Sequence, residues 1–181
     1  PAVTVVAAKI GSEVHFWPSW SPDSKWLVFN TQNCTGSCQQ YNAVQTRLRL
    51  VKAIDDVGQP VSGGAPIDLL AGTHQPNSSN NWPKFAPFLQ NNRFAFIVYS
   101  ARYRYGFAGG SQPQLFMFGL DLEKARAGGQ DPSFQPIWLP FQETNTGNHS
   151  AIWTTDVACA SDSQCPGEFR CIANMCVPRI G

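Results

Sequence analysis

The side chains best suited to chemistry in this chain are three histidines, six cysteines and one run of alternating arginine and tyrosine. The histidines, His15, His74 and His149, are scattered, and no G-x-S-x-G nucleophile elbow accompanies them, so spacing assembles no Ser, His and Asp set. There is no H-E-x-x-H or H-x-H pair for a metal. Asp55, Asp56, Asp121 and Glu123 do not follow the EF-hand pattern, and Asp162, between two cysteines, reads as a turn residue. The sequence therefore assigns no catalytic residue, no metal ligand and no cofactor, and the chain reads as a non-enzyme.

The cysteines fall into two groups, Cys34 and Cys38 in one loop and Cys159, Cys165, Cys171 and Cys176 near the C-terminus. An even count in turn-rich surroundings, without a C-x2-C knuckle, predicts disulfides and not metal thiolates. Disulfides imply an oxidising compartment, periplasmic or extracellular. The sequons at Asn33, Asn77 and Asn148 are compatible with secretion.

The segment from Tyr99 to Gly110 is the candidate binding surface. Its Tyr99, Arg102, Tyr103, Arg104, Tyr105 and Phe107 combine large contact area with hydrogen-bonding tips, as interface hot spots do. The competing reading folds the loop over a sheet edge with its rings packed on neighbours. Nucleic acid is excluded as a partner, since 13 Lys and Arg against 12 Asp and Glu leave a net charge of +1 and no basic run. The apolar N-terminal stretch from Ala2 to Ala8 is too short to span a bilayer, so no membrane span is expected.

The elements that must position these residues are strands. Aromatics make up 12% of the chain and charged residues 14%, well under the roughly 25% charged share of an average soluble domain. Buried strands are predicted over 26–31 and 93–100, half-buried ones over 46–53 and 114–121, and short outer ones over 65–70 and 134–140. Leu122 to Ala127 are helix formers that predict one or two turns before Gly128. Ser21-Pro22-Asp23-Ser24 has the composition of a type I turn.

One pattern occurs twice. Trp17-Pro18 leads through a turn to Trp26-Leu27-Val28-Phe29, and Trp82-Pro83 leads through Pro87 to Arg93-Phe94-Ala95-Phe96-Ile97. The proline of each pair is expected to drive the preceding tryptophan into extended geometry at the start of an innermost strand. The stretch Trp20-Ser21-Pro22-Asp23-Ser24-Lys25-Trp26-Leu27-Val28-Phe29 resembles the WSPDGK signature of TolB-like, WD-like propeller repeats, with Ser24 in place of glycine and Val28 in place of alanine. The resemblance covers about residues 14–141. It implies an all-β fold of antiparallel propeller blades, with blade-like repeats at about 14–75 and 79–141 inside a domain of residues 1–153. Propellers close with about four to eight blades, so two form a partial propeller. Either the chain is the C-terminal part of a larger propeller, or the two sheets pack as a sandwich-like remnant, or a partner covers the open edges.

The tail, residues 154–181, has the spacing C-x5-C-x5-C-x4-C and is similar to small two-disulfide modules of secreted proteins. That likeness implies pairing of first with third and second with fourth cysteine, although four cysteines allow three connectivities. So short a unit depends on its bridges. The function expected from all this is a non-catalytic extracytoplasmic scaffold or accessory subunit that contacts other proteins. The alternative is the non-catalytic propeller portion of a secreted hydrolase acting on peptides or carbohydrates. Sugar binding through Trp138, Trp153 or the tyrosine loop is a third reading.

Overall fold

The computed structural model describes residues 6–8, 11–36, 38–73, 78–103, 112–128, 130–140, 142–153, 159–165, 169–172 and 175–178. The chain is mostly antiparallel β-structure. Four strands, β1 (Glu13–Trp20), β2 (Trp26–Asn33), β3 (Thr46–Lys52) and β4 (Ile67–Asp68), form a first sheet in sequential order. Four more, β5 (Asn80–Phe85), β6 (Phe94–Ala101), β7 (Gln114–Asp121) and β8 (Ile137–Trp138), form a second with the same order. A C-terminal hairpin, β9 (Phe169–Ile172) with β10 (Met175–Pro178), follows a 3-10 turn at Asp162–Gln164.

The outer strands are shorter than the sequence predicts, two residues each. Prolines explain this: Pro66, Pro136 and Pro140 flank them and carry no N–H for a ladder bond. The turn between β1 and β2 closes with Ser24 N–H donating to Ser21 O at 2.9 Å. Ser21 Oγ accepts from Trp26 N–H at 2.9 Å and donates to the Asp23 carboxylate at 2.5 Å. Ser24 itself has φ +56°. That left-handed conformation suits glycine, which the resembled signature carries at this position.

Helix α1 (Leu122–Ala127) follows β7 directly. Asp121 caps it by accepting from Glu123 N–H at 3.0 Å and Lys124 N–H at 3.3 Å, and Gly128 ends it at φ +75°. Arg93 clasps the same carboxylate at 3.0 and 2.5 Å, and this ion pair holds the Asp121 carboxyl below its ordinary range.

One hydrophobic core lies between the sheets. From the first come Trp26, Val28, Leu48, Leu50 and Leu69; from the second come Phe85, Ala95, Ile97, Tyr99, Phe116, Phe118 and Leu120. Each set has the period of two expected of strands with one face inward. The glycine at 72 is required by this packing, since a Cβ there would meet the Phe118 ring at 2.7 Å. All three expected disulfides are present: Cys34 with Cys38, Cys159 with Cys171, and Cys165 with Cys176. The tail pairs first with third and second with fourth. No helix among the described residues is long and apolar enough to cross a membrane.

Candidate interaction surface

The arginine and tyrosine run divides in the structure. Tyr99 and Tyr103 belong to the core, 0% and 4% exposed, because they continue the inward parity of Ile97 and Ala101 along β6. Their hydroxyls hydrogen-bond each other, and Tyr99 Oη also donates to Gly72 O at 3.0 Å. Burial raises both phenols well above the usual tyrosine range. Neither ring offers a surface to a partner. Arg102 has the opposite parity and reaches across to the first sheet's loop, donating to Asn42 Oδ1 at 2.9 Å. Arg104, Tyr105 and Phe107 lie outside the described residues.

The base of that loop sits beside a cluster of rings that the sequence did not reveal. Trp17 and Trp82 stack with centroids 3.6 Å apart and planes 24° from parallel. Tyr41 meets Trp82 edge-on at 5.2 Å, and His149 lies 5.1 Å from Tyr41. Trp17 Nε1–H donates to Gln40 O and Trp82 Nε1–H to Tyr41 O, both at 3.2 Å, so the loop stapled by Cys34 and Cys38 is held on the pair. Desolvation, with the Arg102 charge second, lowers the His149 pKa from 6.5.

The expected extended geometry of both tryptophans is overturned here. Trp17 has φ +52° and Trp82 φ +58°. Each sits in a β-bulge, where the register shifts between Phe16 and Ser19 and between Asn81 and Lys84. The extra residue turns the indole out of the ladder and toward its counterpart. Left-handed backbone at a bulky residue costs about 1 to 3 kcal/mol. Stacking and the two indole hydrogen bonds oppose that cost, and they are made only because both repeats carry the same distortion.

Below the rings, a polar latch joins the sheets. Asn80 N–H donates to Thr46 Oγ1 at 2.7 Å, Thr46 Oγ1 donates back to Asn80 O at 2.8 Å, and the Asn30 amide donates to the same carbonyl. Asn81 and Ser79 both donate to Ala43 O, at 2.8 and 3.0 Å. These groups are fully or nearly fully buried, so the bonds they make help fix the position of one sheet on the other.

The two outward faces differ sharply. On the first sheet, the Arg49 guanidinium is 5% exposed and bonds Glu13 at 2.6 Å and Asp68 at 2.5 Å. Beside it Leu27, Phe29, Val51 and His15 line an apolar cavity of about 160 Å³, with His15 tilted 5.0 Å from Phe29. On the second sheet, Phe94, Phe96, Leu115, Met117 and Ile137 point outward, with Lys84 opposite Val98 on the same face and Arg93, paired with Asp121, over the Phe94 ring at 4.9 Å. Ile137 is 51% exposed, and Phe88 against Phe96 and Phe134 against Phe94 are 51% and 50% exposed. Trp153 covers part of this side, donating to Lys84 O at 3.3 Å and meeting Phe88 edge-on.

No family model matches the chain, and no curated protein matches it in sequence.

Proposed function

We propose that this chain is a non-catalytic interaction module of an extracytoplasmic assembly, a scaffold or accessory subunit built from two blades of a TolB-like propeller. The observation that carries this reading is the largely apolar outward face of the second sheet, where Phe88 against Phe96, Phe134 against Phe94, and Ile137 opposite Met117 are each at least half exposed. Contiguous apolar surface of that kind marks a docking site for another protein. Support for the blade reading comes from two four-stranded antiparallel units of identical strand order, each opened by a bulged Trp-Pro strand. Three disulfides favour a periplasmic or secreted location.

Catalysis is not part of the proposal. His15 packs on Phe29 and His149 on Tyr41, and the Glu13 carboxylate near His15 is committed to Arg49. Native mass spectrometry of the protein isolated from its source tests the reading. A stable complex with other polypeptide, lost on Ile137→Asp, is the expected result. A free chain with no bound polypeptide would overturn it.

A further inference from the structure

A cleft of about 570 Å³ runs between the outer edge of the first sheet and helix α1. That volume lies within the range of about 300 to 1,000 Å³ in which proteins hold small ligands. Trp26, Lys52 and Ile67 of the first sheet line one side, and Ala125 and Arg126 of the helix line the other. Val61, Ala65 and Pro66 complete the walls.

Strand register gathers the polar groups at one end. Trp26 and Lys52 are directly paired across β2 and β3, so their side chains share a face. Arg126 belongs to the same end, because its ion-pair partner Asp23, at 3.5 Å, lies in the turn that leads into Trp26. The Trp26 ring is 2% exposed, and its Nε1–H has no hydrogen-bond partner among the described residues. A buried donor in that state is costly, and an acceptor seated in the cleft would relieve the cost.

Positive charge is in excess at this end. Lys52 and Lys25 share the single carboxylate of Asp56, at 3.0 and 3.4 Å, and Asp56 is 67% exposed. So exposed a pair holds Lys52 weakly, and Lys25 keeps Asp56 neutralised if Lys52 turns to a ligand. The carboxylates along the cleft are already bonded: Asp68 to Arg49 at 2.5 Å, and Asp131 to the Ala71 and Ser133 N–H groups at 2.6 and 2.9 Å. Asp131 also lies at the far end. It is held at Ala71, beyond the level of Leu48, whose carbonyl accepts from Leu69 N–H; Lys52 to Leu48 is about 13 Å of strand.

We propose that this cleft binds a medium-chain fatty acid. The carboxylate accepts from Trp26 Nε1–H and lies between Lys52 and Arg126, whose planar guanidinium matches it. The alkyl chain runs along Val61, Pro66, Ile67 and Ala125 toward half-exposed Leu70. A peptide of the same length fits less well, since these side chains offer its amides no partner and Pro66 has no N–H. The site is separate from the protein-docking reading and stands without it.

Isothermal titration calorimetry on the full, disulfide-intact chain tests this, with decanoate, 1-decanol and the free acid of acetyl-Leu-Val-Leu as probes. Decanoate is expected to bind one to one with a Kd of about 10 μM. Decanol, Lys52→Met and Trp26→Phe are each expected to weaken binding about tenfold, the scale of one hydrogen bond to a charged group. In the native chain the Trp26 indole N–H resonance should move as decanoate is added. Should Trp26→Phe fail to fold, that resonance and Lys52→Met, at a partly exposed position, still decide. No binding of decanoate at about 1 mM overturns the proposal. So does decanol binding as tightly as decanoate, an indole resonance that stays still, undiminished binding by Lys52→Met, or a peptide that binds more tightly than decanoate.

Discussion

The outward faces of the two sheets have equivalent strands and opposite solutions. The first sheet places Arg49 where the second, on its inward side, places Phe116, and neutralises it with Glu13 and Asp68 at 2.6 and 2.5 Å. The second sheet's outward face keeps its ion pairs, Arg93 with Asp121 and Glu123, at one edge with Arg93 partly open to solvent, and is otherwise built of phenylalanines, Met117 and Ile137. A buried ion network tolerates little change, since any removed partner leaves a charge without solvent. An apolar face half open to water is insensitive to substitution in the free chain and sensitive only in an assembly.

The largest expected effect breaks the first solution. Arg49→Ala leaves Glu13, 5% exposed, with its principal cation gone, and should cost about 3 to 5 kcal/mol, read from a denaturant midpoint. Next comes the ring pair between the sheets. Trp82→Ala removes the Trp17 stack and the Tyr41 edge contact, and should cost about 2 kcal/mol while releasing the Cys34 to Cys38 loop to faster hydrogen exchange.

Ser24→Gly should act with the opposite sign. It relieves a φ of +56° at the first repeat's turn and is expected to stabilise by a few tenths up to about 1 kcal/mol, seen as a higher melting temperature. Ile137→Asp should change the stability of the free chain by no more than about 0.5 kcal/mol, in contrast to Arg49→Ala. The smallest effect concerns His149. Its folded pKa lies below 6.5, so the unfolded chain binds the proton more readily; its contribution is complete above that pH and declines as pH falls through it. An NMR titration should find the depressed value, and Arg102→Ala should restore part of the shift.

Much of the scaffold was legible because alternation is a local signal. The four central strands followed from the apolar runs at Trp26, Arg47, Phe94 and Leu115, and the helix from Leu122 to Ala127 followed from propensity and its terminal glycine. The candidate site was legible only in part. Tyr99 and Tyr103 drew attention as surface residues through their spacing with arginine, yet that same spacing keeps them in phase with Ile97 and Ala101, and phase decided their burial. The left-handed tryptophans could not be inferred, because the local rule for a residue before proline favours extended backbone and the compensating contact is with the other repeat. Tyr41, Asn42 and His149 carried no sequence pattern; loops brought them to the rings. The contrast between the outward faces also escaped, since it needs register as well as composition.

Hydroxyl-radical footprinting tests the central claim most directly, by comparing the natively isolated assembly with dilute free chain. Phe88, Phe134 and Ile137 should label readily in the free chain and lose most of that labelling in the assembly, while Phe29 and Val51, 4% and 1% exposed, stay protected in both. Equal labelling of Phe134 and Ile137 in the two samples would contradict the account, because the apolar face of the second sheet would then be no one's interface.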